Sequence, residues 1–450
     1  MRNERIKKLK NSQIYLEFRK LNYYYDNGDS MKNRKKQYLC IDFKSFYASV
    51  ECVERGLDPF QVNLVVADPD RGGGAITLAA TPAIKKLGVP SRGRIFQIPK
   101  NISYKIAPPR MHLYMEYAAK IYGIFLKYIS PDDIIVYSID ESFFDVTSYL
   151  DLYQTTAPKL AKKIIADVYE QTGITSAAGI GNNLFLAKVA LDITAKHAPD
   201  NIGILDEETF YKTLWHHQPL SDFWMIGQGI SKRLHRLGIH DLWQVTKCPP
   251  EILYKEFGVN AEILIDHAWG KECVEIQDIK AYQPRSNSVS NSQILFKDYS
   301  YEDALIILKE MVDANVLVLT QRHLVTDHIG LFIGYSKDVR KASRGSCAIT
   351  NRTNSYSLLM KEFVLLYQRI TDRTAPIRQI AITLGRVRDE KYEQYDLFTD
   401  TEKVLQERKL QQTLVQIRNR FGKNAVLKGI SGLDQATAKY RNQTIGGHKA

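Results

Sequence analysis

Cysteine is scarce in this chain, and long apolar runs are missing. Five cysteines are scattered among 450 residues without a Cys-x-x-Cys pair. This pattern argues against a disulfide framework or a zinc site and is typical of reduced thiols. No apolar stretch is long enough to span a bilayer, and the N-terminus lacks a signal-peptide core. We therefore expect a soluble, cytoplasmic protein without a membrane partner.

Acidic residues are in the minority, with 50 Asp and Glu against 62 Lys and Arg and a formal net charge of +12. An excess of positive charge favours a polyanionic partner, nucleic acid before a membrane surface. A positive net charge alone is weak evidence for DNA binding, because many basic soluble proteins bind no DNA. The chain length predicts about three domains with ample core.

Two apolar stretches each deliver carboxylates where a predicted strand ends. Residues 38–41 stop at Asp42, and residues 134–139 stop at Asp140 and Glu141. Neither strand contains Lys or Arg, so the negative charge needs another compensation. Mg²⁺ suits this role because it takes oxygen ligands from few carboxylates and completes its shell with water and phosphates. The acids could instead simply cap strands, as a single Asp usually does, but a set of three favours metal and phosphoryl transfer.

The same stretches carry longer motifs. Positions 42–51 read Asp-Phe-x-x-Phe-Tyr-Ala-Ser-Val-Glu, and positions 137–142 read Tyr-Ser-Ile-Asp-Glu-Ser. Together they resemble the Y family of translesion DNA polymerases, and most closely its UmuC-like (ImpB/MucB/SamB) branch, from Tyr38 to the C-terminus. The resemblance implies error-prone, template-directed synthesis past DNA damage, from dNTPs on primer-template DNA, in a DNA-repair and SOS-type setting. No second acid cluster suggests a proofreading exonuclease.

The resemblance assigns catalytic roles to the acids. Asp42 and Asp140 would bridge two Mg²⁺ ions, and Glu141 would hold the ion beside the primer 3′-hydroxyl. The Phe43 carbonyl would add a ligand on the nucleotide side. Because neighbouring residues of a strand point to opposite faces, the backbone must turn at Asp140 for both adjacent acids to reach metal.

Four residues are expected at the incoming nucleotide. Tyr47 would be the flat ring that leaves no room for a 2′-hydroxyl, although without the resemblance it reads as core. Related enzymes carry Tyr and Arg where this chain has Pro82 and Lys85, so Lys85 would meet phosphate only as a point charge. Lys196 would lie against the triphosphate with Lys188 close by, although one extra residue precedes Lys196 relative to some branches. For either lysine the alternative is a solvated surface charge, an equally good interpretation for Lys188.

The implied fold is an α+β right-hand polymerase. It has a palm with a mixed or antiparallel sheet, small fingers, a helical thumb with a helix-hairpin-helix, and a β-α-β-β-α-β little finger. Gly72–Gly74 is not a phosphate-binding loop, because no Gly-Lys-Ser/Thr follows, and it predicts a hairpin between strands at 63–67 and 75–80. The predicted divisions are a basic N-terminal arm (1–37), palm (38–54 and 111–203), fingers (55–110), thumb (204–275), linker (276–284), little finger (285–390) and C-terminal tail (391–450).

Basic and glycine-rich segments are expected to follow the DNA backbone. Residues 223–234 resemble a helix-hairpin-helix, whose glycines bring N–H groups close to a phosphate, with an ordinary helical turn as the alternative. The little finger would add arginines that grip DNA with little sequence preference. The expected DNA contacts are Gly227, Gly229, Lys232, Arg233, Arg340 and Arg344.

Directly after the last predicted strand, residues 394–398 read Gln-Tyr-Asp-Leu-Phe. They resemble the Gln-x-x-Leu-Phe peptide that binds the bacterial sliding clamp, with Gln394, Leu397 and Phe398 as contacts. Five residues match easily by chance, but this position is the expected one. Two apolar anchors on a mobile tail would make an exchangeable tether. Accessory mutagenesis proteins are further candidate partners, since some UmuC-like members need them.

Two other functions stay open on these grounds. Another two-metal palm enzyme, such as a nucleotidyl cyclase or a nuclease, would use the same acids. It would need no sugar-sensing ring, phosphate-binding thumb or clamp peptide. A DNA- and clamp-binding factor with a decayed active site would not need the complete acidic set.

Overall fold

A computed structural model of the chain describes residues 36–284, 287–395, 397 and 399–450. Almost all of the predicted basic arm, at 1–35, and the predicted clamp contact Phe398 lie outside the described residues. The chain divides into two compact units, with the boundary between Gln283 and Pro284. No helix in the described ranges is both long enough and apolar enough to cross a bilayer.

The first unit contains two sheets. In chain order its strands are β1 (Tyr38–Phe43), β2 (Leu64–Val66), β3 (Ala79–Ala80), β4 (Lys105–Ala107), β5 (Ile134–Val136), β6 (Glu141–Asp145), β7 (Ser176–Gly181) and β8 (Ile202–Leu205). Five of them form one sheet in the order β5-β6-β1-β7-β8, in which the central β1 is antiparallel to β6 and β7. The other three form a small sheet in the order β3-β2-β4.

Helices surround these sheets. The helices of the first unit are α1 (Phe46–Val53), α2 (Pro82–Lys86), α3 (Met111–Phe125), α4 (Thr147–Leu152), α5 (Ala157–Thr172), α6 (Leu184–Val189), α7 (Glu207–Thr213), α8 (Gln228–Arg236), α9 (Leu242–Lys247), α10 (Pro250–Phe257), α11 (Ala261–Ala268) and α12 (Ile276–Ala281). Helix α6 packs against β1 and β7, and α5 packs against β7. The short apolar stretches around β1 and β7 are thus strands covered by helices.

Strand β1 is buried on both faces, which explains its uninterrupted apolar sequence. Leu39 and Cys40 point to opposite faces of the sheet, and both are fully buried. Helix α6 comes very close to β7, because Gly179 has no side chain there. A Cβ on Gly179 would lie 2.0 Å from the carbonyl oxygen of Ala187. This close approach fixes where the side chains of α6 reach the sheet.

Two predicted segments differ from the structure. The strand expected at 75–80 is reduced to β3. In place of the expected hairpin turn, Pro69–Gly74 is a 3₁₀ segment that begins at Asp68, whose side chain accepts a 3.2 Å hydrogen bond from the Asp70 N–H. The linker expected at 276–284 is wrong over most of its length, since Ile276–Ala281 is helix α12.

The polar residues of that segment are helix caps and surface contacts. Glu275 and Asp278 form a capping box at the start of α12. Ile276 is fully buried. The Gln277 amide donates a 3.0 Å hydrogen bond to Asp133, which ties the helix to the first unit. The polar composition of residues 276–284 therefore predicted a linker where the chain forms a short amphipathic helix that packs on the rest of the unit.

The second unit has the predicted β-α-β-β-α-β order. Its elements are β9 (Asn287–Tyr299), α13 (Tyr301–Gln321), β10 (Leu324–Tyr335), β11 (Ser343–Thr353), α14 (Tyr356–Ile370) and β12 (Ile377–Asp389). The sheet order is β11-β10-β12-β9, with all neighbours antiparallel. Ile329, Leu331 and Ile333 of β10 lie in the core with both helices, so Phe332 faces the other side of the sheet.

The C-terminal region is packed onto this unit rather than hanging from it. It contains α15 (Thr401–Phe421), α16 (Ala438–Arg441), β13 (Thr444–Ile445) and β14 (His448–Lys449). Helix α15 packs along α13. Buried Glu310 of α13 accepts hydrogen bonds from the Thr437 and Ala438 N–H groups at 2.8 and 3.0 Å. The expectation of a separate C-terminal tail is therefore wrong for these residues, which pack onto the second unit.

Candidate active site

The candidate site lies where β1 and β6 run side by side. Asp42 on β1 stands opposite Glu141 on β6 in the register. Asp140 lies just before β6, and its carbonyl oxygen accepts a 2.9 Å hydrogen bond from the Phe43 N–H. The Ser138 hydroxyl donates to the Asp140 carboxylate at 2.5 Å. Because β5 has already ended at Val136, the backbone turns before the acids, as their adjacency required.

Glu141 has a lysine partner. Its carboxylate lies 2.7 Å from the Lys188 Nζ, and each side chain is 10% exposed. Lys188 also pairs with Asp192 at 3.0 Å, and the Cys40 thiol donates to Glu141 at 3.1 Å. Burial acts to lower the pKa of Lys188, but Cys40, Glu141 and Asp192 outweigh it and raise that pKa. Lys188 is therefore a buried cation of the site, and its interpretation as a solvated surface charge is wrong.

The Asp42 carboxyl is poorly compensated. Burial, followed by the negative charges of Asp140 and Glu141, raises its pKa to about 8 from an ordinary 3.8. Lys188 acts in the opposite direction without cancelling these effects. A cation beside Asp42 would reverse the shift, because a nearby opposite charge favours the ionised form.

The donors at this site suit a hard divalent cation in kind, but they are not gathered around one. Among the described residues, no group of three or more His, Cys, Asp or Glu side chains is placed to hold a metal ion. At this site the Glu141 carboxylate faces Lys188 instead. Asp42 and Asp140 lie close enough to repel each other, so these two oxygen donors fit Mg²⁺ in chemistry. Glu141 could join them only by exchanging its lysine for the cation.

Tyr47 lies beside these acids on α1. Burial and then the charge of Asp140 raise its pKa, which places the hydroxyl within electrostatic reach of that carboxylate. The ring of Tyr47 is half-buried and stacks on Tyr114 of α3, with ring centroids 4.5 Å apart. Tyr47 therefore lies at the edge of the site, with its ring packed against Tyr114.

Lys85 lies within electrostatic reach of Asp42 and of Lys196, and the Lys196 side chain is exposed. The Lys85 Nζ donates a 2.8 Å hydrogen bond to the Ser45 hydroxyl. Burial lowers the pKa of Lys85, Asp42 raises it and Lys196 lowers it, so the three groups share one region. Residues 190–194 form a π-helical turn that ends two residues before Lys196.

Comparisons with known proteins identify the family. The impB/mucB/samB family matches residues 41–192, and its C-terminal domain matches residues 286–397. The UvrX protein of Bacillus subtilis (strain 168) is 33% identical over 422 residues, which cover 92% of this chain and 98% of UvrX. The chain belongs to the impB/mucB/samB family.

It is thus a UmuC-like Y-family DNA polymerase, as the motifs indicated. DNA polymerase IV 2 of Bacillus subtilis (strain 168) is 28% identical over 435 residues, covering 92% of this chain and 99% of that protein. A solved chimera of the Y-family polymerases Dbh and Dpo4 matches the fold with a TM-score of 0.62 at 22% identity. That match covers 78% of this chain and 99% of the chimera, and it confirms the right-hand polymerase architecture.

In this polymerase the predicted DNA contacts of the thumb lie on and before α8. Gly227 is its N-cap and Gly229 is exposed in its first turn. Lys232 is exposed, whereas Arg233 donates to Glu256 at 2.6 Å and packs over the Phe257 ring. The element before the glycine turn is only a single 3₁₀ turn, so the predicted hairpin lacks a full first helix.

The predicted DNA contacts of the little finger differ from each other. Arg344 on β11 is exposed, lies over the Phe332 ring at 5.2 Å and shares with it the sheet face turned away from the helices. Arg340 is exposed in the turn before β11 and forms an ion pair with Asp372. Arg344 is consequently the better placed of the two to meet a phosphate.

The predicted clamp peptide is a loop held at its start, not the beginning of a mobile tail. The Gln394 N–H donates a 2.9 Å hydrogen bond to the Arg352 carbonyl oxygen. Glu393, one residue earlier, is paired with Arg408 of α15. Leu397 is 100% exposed. A fully exposed leucine side chain that follows such an anchored start is suited to insertion into a partner's apolar pocket.

Sequence reasoning missed several residues of the site. The thiol of Cys40 contacts the catalytic candidate Glu141, and sequence reasoning assigned Cys40 no role in the site. Ser138 and Ser45 hold Asp140 and Lys85. Only Ser138 carried a visible signal, its place two residues before Asp140, whereas the other contacts depend on which elements the fold brings together.

Proposed function

We propose that this UmuC-like polymerase extends primers past damaged template bases by two-metal nucleotidyl transfer, without proofreading. Template-directed DNA synthesis past damage follows from its family. In the proposed reaction the primer 3′-hydroxyl attacks the incoming dNTP and pyrophosphate leaves. The lack of a second acid cluster in the sequence supports uncorrected, error-prone synthesis. The resemblance to the family implies an SOS-type response to damage.

One observation carries the proposal. Asp42 stands opposite Glu141 in the strand register, and burial together with the charges of Asp140 and Glu141 raises the pKa of Asp42 to about 8. Burial and the charge of Asp140 also raise the pKa of Tyr47. Acids that a fold holds together in a half-buried place are costly unless a cation compensates them. This supports a divalent-cation site at the sugar-sensing ring rather than simple strand capping.

Asp42, Asp140 and the Phe43 carbonyl would hold Mg²⁺, with Glu141 completing the set. When bound, two Mg²⁺ ions lower the pKa of the attacking hydroxyl and neutralise charge on the phosphates. The chain itself keeps the acids in place, and it gives Lys188 a second partner, Asp192 at 3.0 Å, for when Glu141 turns toward the cations.

The remaining groups would bind the nucleotide. The face of Tyr47 would exclude a 2′-hydroxyl and so select deoxyribose. Lys85 and Lys196, which share the region of Asp42, would meet the triphosphate and the charge that develops on leaving pyrophosphate. Lys188 belongs instead with Glu141, so its proposed role moves from the nucleotide to the carboxylate.

The proposal also covers contacts with the DNA backbone and with partner proteins. Gly227, Gly229, Lys232 and Arg344 would contact the DNA backbone, while Arg233 and Arg340 already have carboxylate partners. Gln394 and exposed Leu397, together with Phe398, would tether the enzyme to the sliding clamp. Accessory mutagenesis proteins would act on this assembly.

The test is primer extension by Asp140→Ala, with DNA affinity measured in parallel. We expect extension to fall by at least about a thousandfold while DNA binding stays within about twofold, because the acid acts on the transition state rather than on the duplex. Asp145→Asn is the matched control, since Asp145 is on the same strand system but only accepts hydrogen bonds from Thr147. Extension by Asp140→Ala at the wild-type rate would contradict the proposal and would leave strand capping as its role.

A further inference from the structure

The ring of Tyr47 has a support behind it. It stacks on the ring of Tyr114, with centroids 4.5 Å apart and planes inclined by 18°. Tyr47 is half-buried, whereas Tyr114 is fully buried. The outer ring can therefore face a ligand while the inner ring is enclosed by protein.

Tyr114 is fixed by a buried carboxylate. Its hydroxyl donates a 2.6 Å hydrogen bond to Glu51, which is fully buried. Arg110 grips both oxygens of Glu51, from Nε at 3.0 Å and from Nη2 at 2.8 Å. Arg55 forms a further ion pair with the same carboxylate. The bidentate arginine fixes the orientation of the carboxylate and hence of the tyrosine hydroxyl.

The charge state of this network is stable. Burial acts to raise the pKa of Glu51, but hydrogen bonds from Arg110, Tyr114 and Arg55 outweigh it and lower that pKa. Burial and the bond to Glu51 raise the pKa of Tyr114. The pair is thus an ionised acceptor and a neutral donor over the whole working range of pH, so the contact does not open by titration.

The spacing of the residues ties the support to Tyr47. Tyr47 and Glu51 are four residues apart on α1 and therefore lie on one face of that helix, one turn apart. Tyr114 of α3 spans both, with its ring on Tyr47 and its hydroxyl on Glu51. A buried charged network is a poor way to gain stability, because apolar side chains of the same shape would serve as well. The network instead fixes the position of the Tyr114 side chain.

We propose that Tyr114 is the positioning residue that holds the Tyr47 ring against the sugar of the incoming nucleotide, with Glu51 and Arg110 holding Tyr114. Exclusion of a 2′-hydroxyl needs a wall that does not yield. With Tyr114 in place, the Tyr47 ring has no space behind it into which to retreat, and removal of the inner ring would open a cavity there. This inference rests on the proposed role of Tyr47.

The experiment measures kcat and KM for incorporation of one dNTP and the matching rNTP by the full chain. For Tyr114→Leu we expect discrimination against rNTP to fall about tenfold, mainly through a lower KM for rNTP, because a pocket wall contributes about that much to selectivity. For Tyr114→Phe, which keeps the ring and loses the hydroxyl, we expect a fall of about threefold. Tyr117→Phe is the matched control, since Tyr117 is on the same helix and its hydroxyl donates to Glu54 at the surface.

The outcomes separate this inference from the role of Tyr47. If Tyr47→Ala loses discrimination and both Tyr114 variants keep it, Tyr114 does not position the ring and the inference is overturned. If Tyr47→Ala itself keeps discrimination, the role of Tyr47 fails first, and Tyr114 is a core residue. Should Tyr114→Leu not fold, Tyr114→Phe decides alone, with discrimination equal to that of Tyr117→Phe as the contradicting result.

Discussion

The groups with proposed functions are placed in opposite ways in the two units of this polymerase. In the first unit, Glu141 and Lys188 form an ion pair in which each side chain is 10% exposed, next to the poorly compensated Asp42. In the second unit, Arg344 and Leu397 are exposed, and Leu397 entirely so. Buried charges act through few, strong, mutually dependent contacts, whereas exposed groups act through many weak ones. Single substitutions of these groups should therefore have severe effects in the first unit and mild effects in the second.

The largest effect should come from Asp42→Asn, which should lower activity and raise stability. Primer extension should fall by at least about a thousandfold, because a carboxylate proposed to hold both cations is lost. In the absence of metal, the variant should be more stable than the wild type at high pH. A carboxyl whose pKa is raised on folding, here to about 8, contributes stability that is full below about pH 4 and lost as pH rises through 8.

The measurement is thermal unfolding of both proteins in EDTA at pH 5 and pH 8.5. The wild type should lose stability between these values, and the variant should lose less, by about 2 kcal/mol at the higher pH, a figure reduced for partial solvent screening. A variant that is less stable than the wild type at both values would show that Asp42 is not held under repulsion.

The next largest effect is expected from Lys188→Met, which leaves Glu141 buried without its cation. Breaking such a pair from one side should lower the free energy of unfolding by about 3 kcal/mol. Lys212→Met is the control, because Lys212 forms an ion pair with Glu208 on the surface of α7, where loss of the pair should change the free energy of unfolding far less. Urea unfolding in EDTA measures both. Equal losses would remove the contrast between buried and exposed pairs.

A smaller effect, confined to one condition, is expected from Leu397→Ala. Synthesis without the clamp should be unchanged, while stimulation by the bacterial clamp should fall about tenfold, since a single apolar anchor carries much of such a contact. Exposed Leu405 of α15 offers the control Leu405→Ala. Primer extension with and without clamp measures this, and equal stimulation of all three proteins would refute the tether.

The smallest effect should come from Arg344→Ala. DNA affinity should fall about threefold, and the slope of log affinity against log salt should become shallower by about 0.9, as expected for the loss of one phosphate contact. Arg340→Ala should change both less, because Arg340 is already paired with Asp372. Fluorescence anisotropy over a range of salt concentrations checks both, and a larger loss for Arg340 would reverse their order.

The sequence predicted those parts of the fold that depend on local pattern. The apolar runs that end at Asp42 and Asp140 are strands β1 and β5 with their following turn, and the six elements of the little finger appear in the expected order. The family motifs identified the polymerase, which the family match confirms. These predictions succeed because hydrophobic periodicity and turn residues act between positions that are close in the sequence.

The contacts that shape the site were not predictable from local pattern. Lys188 pairs with Glu141 because Gly179 lets α6 approach β7 closely, a fact of tertiary packing that the position of the lysine does not reveal. The polar segment at 276–284 was taken for a linker because its caps and surface contacts resemble loop composition. The loop at Leu397 was taken for a mobile tail, since the ion pair of Glu393 with Arg408 joins residues far apart on different elements.

The central claim is that the acids at the ends of β1 and β6 hold a pair of divalent cations. Its most direct test is to count Mn²⁺ ions bound per chain by electron paramagnetic resonance, with primer-template DNA and a non-hydrolysable dNTP analogue present. We expect about two ions for the wild type and fewer than one for Asp140→Ala with DNA still bound. Two tightly bound ions in both proteins would contradict the claim.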